Sequence, residues 1–221
     1  MKYVYIIVGV GGTGSLLARD LPKLMIGTIN KMVLIDGDTV ERKNMVRQSY
    51  QKHDIGCNKA IALSKKINTF YGNVCDCIDA YITKDEIIHR LKTDYSTYLP
   101  VLIGCVDNDK TRMLLEHTFN ELKDCIYLDS ANSEYEGNVY LVSKFENVKR
   151  GKLRSEVYEL IDDIHPLDKS CQEEVSKGNT QFLTTNMKMA NVLFEHINSI
   201  MIKDIRTGVT NVKRFETVHY K

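Results

Sequence analysis

The chain has almost no net charge: 30 Lys and Arg against 29 Asp and Glu leave a formal +1. A balance this even gives no strong electrostatic preference for nucleic acid or for an anionic membrane surface. No apolar run approaches the ~20 residues needed to cross a bilayer. The apolar start, MKYVYIIVGVGG, flows into glycines rather than a small-residue cleavage site, so it reads as a first strand and not as a secretory signal. The expectation is a cytoplasmic chain. Six cysteines stand at 57, 75, 77, 105, 125 and 171, and no two form a C-x-x-C pair. A structural zinc site of four thiolates therefore has no support. In an intracellular α/β protein such cysteines read as free thiols rather than a disulfide framework. Internal repeats and low-complexity tracts are absent as well.

What is present is alternation. With 221 residues, 43% of them apolar, the chain can hold one large α/β domain or a domain with a small extension. YVYIIV (3–8) suits a central parallel strand buried on both faces. Further strands are predicted at 31–36, in NVCDCIDA, at 98–106 and at 124–130, with helices over 12–25, 58–68, 83–92 and 108–122 between them. Thr83 and Glu86 have capping-box spacing. Cys75 and Cys77 alternate, which places both on one sheet face as small apolar filler. EGNVYLVSKF (136–145) predicts one strand beyond the parallel set, and GVTNVKRFETVHY an edge strand at the end. The fold class is then α/β, a doubly wound, mostly parallel Rossmann-like sheet with additional antiparallel strands and a C-terminal helix. We divide it into a nucleotide-binding part at 1–143, a crossover segment at 144–179, and a helix and strand at 180–221 that complete the same domain.

Ligands in such sheets sit at the carboxyl ends of the strands, and the informative residues fall there. In IIVGVGGTGS (6–15), Gly9, Gly11 and Gly14 satisfy G-x-G-x-x-G. That spacing alone is weak, since a strand, a glycine turn and a helix N-terminus can cradle any phosphate, and a ligand-free turn is the ordinary alternative. Asp36 lies 22 positions beyond Gly14, where a ribose hydroxyl is gripped, and fits NAD or ATP equally. Asn44, Arg47 and Gln48 form a polar cluster, and Lys59 follows soon after. Two cations beside a helix-terminus phosphate site suit a triphosphate, although either alone would pass for a surface charge. Asp107 leaves an apolar strand where a carboxylate can hold Mg²⁺, and Asn108 or Asp109 is placed to cap the next helix.

Four linked motifs then carry a resemblance: G-x-G-G-x-G-S, D-x-D-x-V-x-x-x-N-x-x-R-Q, D-I-G-x-x-K-A and D-N-x-x-x-R, in order across residues 3–143. The set resembles the ThiF/MoeB superfamily, the adenylating proteins related to ubiquitin-activating enzymes. The resemblance implies ATP and Mg²⁺, and adenylation of a carboxylate. That carboxylate is usually the C-terminal glycine of a small ubiquitin-like or sulfur-carrier-like protein. Carried over by position, Gly11, Gly12 and Gly14 line the phosphate loop, Asp36 holds the ribose, Asn44, Arg47 and Lys59 contact phosphates, and Asp107 holds magnesium. Gly9, Asp38, Gln48 and Asn108 complete the candidate nucleotide-binding set, and Arg47, Lys59, Asp107 and Cys171 the catalytic one. DSANSEYEGNVYLV (129–142) resembles the stretch that supports a partner's extended tail, with ordinary extension of the sheet as the alternative. Cys171, in a long polar connection, is placed by the resemblance to take the acyl group as a thioester or to form a persulfide link, the alternative being an incidental exposed thiol, and is expected to be the most accessible of the six. A homodimer is also implied.

The chain departs from the family in two places. Only Met1 and Lys2 precede the first strand, so the N-terminal arginine that many relatives extend to a partner's ATP is not in this sequence, and Arg19 is no substitute by position. The paired C-x-x-C motifs of many relatives are missing too, a compact form closer to ThiF-related proteins of bacterial gene cassettes. Two other readings stay open at this point: a nucleotide-binding interaction module of the same fold with little turnover, and an NAD-dependent oxidoreductase.

Overall fold

All six positions of β1 (Tyr3–Val8) are buried, which puts this strand in the middle of the sheet. The computed structural model describes residues 1–161 and 183–221. Parallel strands flank β1: β2 (Lys31–Ile35) and β3 (Cys75–Ile78) on one side, β4 (Leu99–Gly104) and β5 (Cys125–Asn132) on the other. The chain thus returns from the β3 edge to pair β4 with β1, and the switch point lies between those two strands. Beyond β5 the pairing turns antiparallel through β6 (Gly137–Phe145), β8 (Gly208–Val212) and β9 (Thr217–Tyr220), with β7 (Val148–Arg150) also on β6.

Alternation along the strands divides the core. Tyr5, Ile7, Met32, Leu34, Val101 and Ile103 face α1 (Gly12–Asp20), α3 (Lys59–Tyr71) and α6 (Leu183–Met201). Val4, Ile6, Val33, Ile35 and Leu102 face α4 (Lys84–Thr93) and α5 (Asp109–Glu121). A short helix, α2 (Pro22–Met25), continues α1. Cys75 and Cys77 both belong to the first face, as their period-2 spacing predicts. The capping box at Thr83 and Glu86 forms too. Among the described residues no helix is long and apolar enough to cross a membrane, and no group of three side chains is set to hold a metal ion.

Two hairpins depart from the sequence reading. The strand over 136–145 does not stand alone: Glu146 and Asn147, at φ 48° and 64°, reverse the chain into β7. Paired positive φ values belong to a tight hairpin turn that glycine usually signals, and neither residue is glycine. The single edge strand predicted at the end is two strands, because Lys213 N–H bonds Glu216 O at 2.8 Å and folds β8 onto β9.

Candidate functional site

The four glycines of the turn after β1 and the start of α1 differ in what surrounds them. Gly9 takes φ +85°, and a Cβ there would lie 2.7 Å from Cys105 O. A Cβ on Gly14 would lie 2.0 Å from Gly9 O, so its absence lets α1 start tight against the turn. Around Gly11 the nearest atom to such a Cβ is Gln48 Nε2 at 3.9 Å, so here the backbone is approachable. Gly12 is different again: its neighbour is the Asn186 side chain, whose Nδ2 would be 2.3 Å away. Turn, close approach and helix packing are the three roles of a phosphate-binding glycine turn. Gly12 answers to protein packing. Among the described residues no side chain caps α1, so its first N–H groups keep their partial positive charge without a side-chain acceptor.

Asp36 holds this loop in shape. Its Oδ2 accepts from Val10 N–H at 2.8 Å and its Oδ1 from Asp38 N–H at 2.9 Å. Burial raises its pKa, with Lys59 opposing the rise. Both oxygens are thus engaged with backbone, and the lone pairs left over are what a ribose hydroxyl would use. Asn58 caps α3 by accepting from Ile61 N–H at 3.1 Å, and its amide donates to Asp36 O at 2.8 Å and Asp38 O at 3.1 Å. The helix therefore begins beside the second strand's end and delivers Lys59 there. Lys59 is buried, with Nζ 2.6 Å from Asp38 Oδ2, while the Asp38 side chain is 43% exposed. Tyr81 lies over Gly37 and donates its hydroxyl to the other Asp38 oxygen. Tyr50 donates to Val10 O at 2.7 Å, so a buried phenol links the loop to this corner.

Arg47 follows a 3₁₀ turn over Arg42–Val46 and is half-buried. Asn44 is buried inside that turn, its side-chain oxygen accepting Glu41 N–H at 2.7 Å, so one end of its amide shapes the turn. Gln48 is buried against Gly11, and among the described residues its Oε1 has no partner. Asp107 is exposed just past β4, next to Cys105 and Val106, which touch Gly9. Asn108 is buried and caps α5, accepting Thr111 N–H at 2.9 Å; capping accounts for this residue. Cys171 lies outside the described residues. Cys57, in the turn before α3, is exposed.

Sequence reasoning missed a second ionic cluster. Asp129, in β5, is fully buried and accepts from both Arg112 of α5 and Arg154 of the 3₁₀ turn after β7. Arg112 also donates to Ser130 O at 3.1 Å and to Val106 O, which braces the backbone just before Asp107. Arg112 stood in the quoted motif, but its partners are set by the fold. Asn186 and Asn132 were missed as well; Thr13 donates to Asn132 at 3.2 Å, and Asn132 to Asn186 at 3.0 Å.

A glycine turn shaped for close approach and an uncapped helix after β1 thus stand near a buried lysine beyond the end of β2. A family model described as the ThiF family matches residues 2–217. The chain belongs to the ThiF family. It is 31% identical over 152 residues to a ubiquitin-like modifier-activating enzyme 5 of Bombyx mori, covering 64% of this chain and 37% of that one. The Gallus gallus protein of the same name is 32% identical over 146 residues, covering 62% and 36%. The chain thus spans little more than a third of these curated relatives. Among solved structures it is similar to E. coli MccB with ATP, at TM-score 0.71 and 13% identity, over 99% of this chain and 64% of that one. The microcin C7 biosynthetic enzyme MccB in complex with N-formylated MccA gives 0.74 at 14%, over 99% and 64%. PaaA gives 0.68 at 19%, over 99% and 64%. At these identities the likeness is one of fold.

Proposed function

We propose that this ThiF-family chain is an adenylating enzyme that uses ATP and Mg²⁺ on the carboxylate of a small protein or peptide. The observation that carries this reading is the pairing of an approachable Gly11 and an uncapped α1 with a buried cation, Lys59, at the same strand ends. A triphosphate fits that arrangement: fixed N–H groups, an ammonium and the Arg47 guanidinium meet its charge. The names of the relatives and neighbours, a ubiquitin-like modifier-activating enzyme and MccB with ATP or with N-formylated MccA, support substrate classes of this kind.

In the reaction a carboxylate oxygen of the acceptor attacks the α-phosphorus. The bond from that phosphorus to the bridging oxygen breaks, and pyrophosphate leaves an acyl-adenylate. Negative charge grows on equatorial and leaving oxygens, so positioned cations supply most of the catalysis. Lys59 and Arg47 take that role here. Lys59 already has a carboxylate partner, and exchanging Asp38 for phosphate moves a charge between two anions rather than out of water. Asp107 is the carboxylate that would hold Mg²⁺, which when bound offsets phosphate charge. Asp36 orients the ribose. The Cys171 thiolate then attacks the acyl carbon of the adenylate and forms a thioester as AMP leaves, and two copies form a homodimer. β5 and β6 are flanked by β4, β7 and β8 along their paired length, so the stretch 129–142 extends the sheet there rather than offering an edge to the acceptor's tail.

The test is exchange of labelled pyrophosphate into ATP in the presence of candidate acceptors with free or amidated C-termini. Exchange with the free carboxylate and none with the amide is expected, and Arg47→Ala or Asp107→Ala abolishes it. ATP binding with no exchange for any cognate acceptor would leave a nucleotide-binding interaction module in its place.

A further inference from the structure

Asn186 is fully buried in the first turns of α6. Its side-chain oxygen is used: it accepts from Asn132 Nδ2 at 3.0 Å, and Asn132 in turn accepts from Thr13 Oγ1 at 3.2 Å. Asn132 Nδ2 also donates to Ser133 O at 3.3 Å, a carbonyl that can only accept, and this contact sets the orientation of Asn132 and with it which end of the Asn186 amide is left over. The leftover atom is Nδ2, a two-proton donor with no partner among the described residues, although it is sealed from water. It lies on Gly12, so close that any side chain at position 12 would collide with it. Gly12 opens α1, whose N-terminus also lacks a side-chain cap. An unsatisfied buried donor and unsatisfied helix N–H groups therefore stand side by side at the phosphate turn. Buried donors left without a partner are rare because they forgo water and gain nothing. An anion at this place would satisfy both at once.

We infer that Asn186 is a further binding residue of the nucleotide site, donating Nδ2–H to a phosphate oxygen held at the α1 N-terminus. The inference rests on the ATP reading above and deepens it. It gives α6 a direct stake in nucleotide binding, and it gives Gly12 a reason: a Cβ there would push this donor out of the site.

Asn186→Asp is the informative variant. It preserves the shape and the acceptor for Asn132, and replaces only the donor by an anionic oxygen. Calorimetry with MgATP, and with adenosine as competitor, reads the result. At least a tenfold loss of ATP affinity is expected, with adenosine affinity unchanged and thermal stability held, because a carboxylate next to a helix N-terminus is itself favourable. Asn186→Ala, which removes the donor without adding charge, is expected to lose ATP affinity to a smaller degree. In wild-type protein labelled with ¹⁵N at asparagine, the Asn186 side-chain amide signal moves with MgATP and not with adenosine. If both variants bind ATP as the wild type does and that signal stays still, the inference is overturned while the ATP reading stands. Equal losses for ATP and adenosine, tracking a fall in Tm, would make Asn186 a packing residue only and overturn it as well. Wild-type protein that binds no ATP in any condition removes the underlying reading and this inference with it.

Discussion

Two ionic clusters stand at the carboxyl ends of the parallel strands, and they are built to opposite rules. At the end of β5, Asp129 is fully buried and takes two guanidiniums, from Arg112 and Arg154. Beyond β2, Asp38 is 43% exposed in its side chain and takes one ammonium, Lys59, and the Tyr81 hydroxyl. In the first, removing the anion strands two charges in a dry interior, where each loses its hydration without compensation. In the second, the anion reaches water and the cation is the buried partner. The sealed cluster ties β5, α5 and the turn after β7 together and braces Val106, the residue before Asp107. The open one stations a cation beside the glycine turn in a form that can change partners. One holds the frame, and the other is available for chemistry.

Breaking the sealed cluster should show the largest effect. Asp129→Ala is expected to cost about 3–5 kcal/mol, measured by urea denaturation, because both arginines lose their counter-charge in place. A cost below about 1 kcal/mol would mean that water reaches the site and that the two clusters are alike after all. Next in size is Lys59→Met, read on catalysis. Losing one positioned cation is expected to slow pyrophosphate exchange by about 10²–10³-fold. Its effect on stability stays small, since the partner left behind, Asp38, is half in solvent. A large loss of stability with little loss of exchange would place Lys59 in the frame instead.

This contrast also marks what was legible beforehand. The doubly wound sheet could be read because β1 is apolar at every position, and because strand and helix periods alternate cleanly. Gly9, Gly11 and Gly14 could be read since their spacing is a local backbone requirement, and Lys59 since it follows its motif in sequence. Asn108 was one of two candidates for a cap, a role decided within three residues of chain. Asp129 and Arg154 were not legible: neither has a local signature, and their pairing needs β5 and the turn after β7 to meet. Asn186 was invisible for a stronger reason, because its neighbour Gly12 comes from the far end of the chain and looked like an ordinary phosphate-loop glycine. The two hairpins were hidden by turns made without glycine, at Glu146–Asn147 and at 213–216.

A third cluster sharpens the comparison, because it is sealed but uncharged. His196 Nε2 pairs with Thr210 Oγ1 at 2.8 Å, and the same hydroxyl pairs with His219 Nδ1 at 3.0 Å, joining α6 to β8 and β9. Burial, and then the neighbouring His219, push the His196 pKa down from the ordinary 6.5 to about 4. His219 is lowered too, chiefly by burial. Between those two pH values the unfolded chain binds a proton that folded His196 refuses, so stability falls as pH drops through that window and levels off below it. The loss is expected to be of order 2 kcal/mol from pH 7 to pH 4.5. His196→Gln, which can keep the bond to Thr210, should lose that share of the slope in urea titrations at the two pH values. An unchanged slope would mean that water reaches His196.

The smallest effect belongs to the open cluster. Asp38→Asn removes the charge, keeps one oxygen to accept from Lys59, and turns the other end into an amide N–H that can donate to the Tyr81 hydroxyl. Because the Asp38 side chain is 43% exposed, its pairing with Lys59 is screened, and the stability cost should stay under about 1 kcal/mol in the same urea titration. The consequence for ligand binding runs the other way. With its competing carboxylate gone, Lys59 is released to phosphate at less cost, so MgATP should bind the variant at least as tightly as the wild type by calorimetry. A variant that is badly destabilised, or one that loses ATP, would mean that Asp38 anchors Lys59 as Asp129 anchors its arginines, and the division between frame and chemistry would not hold.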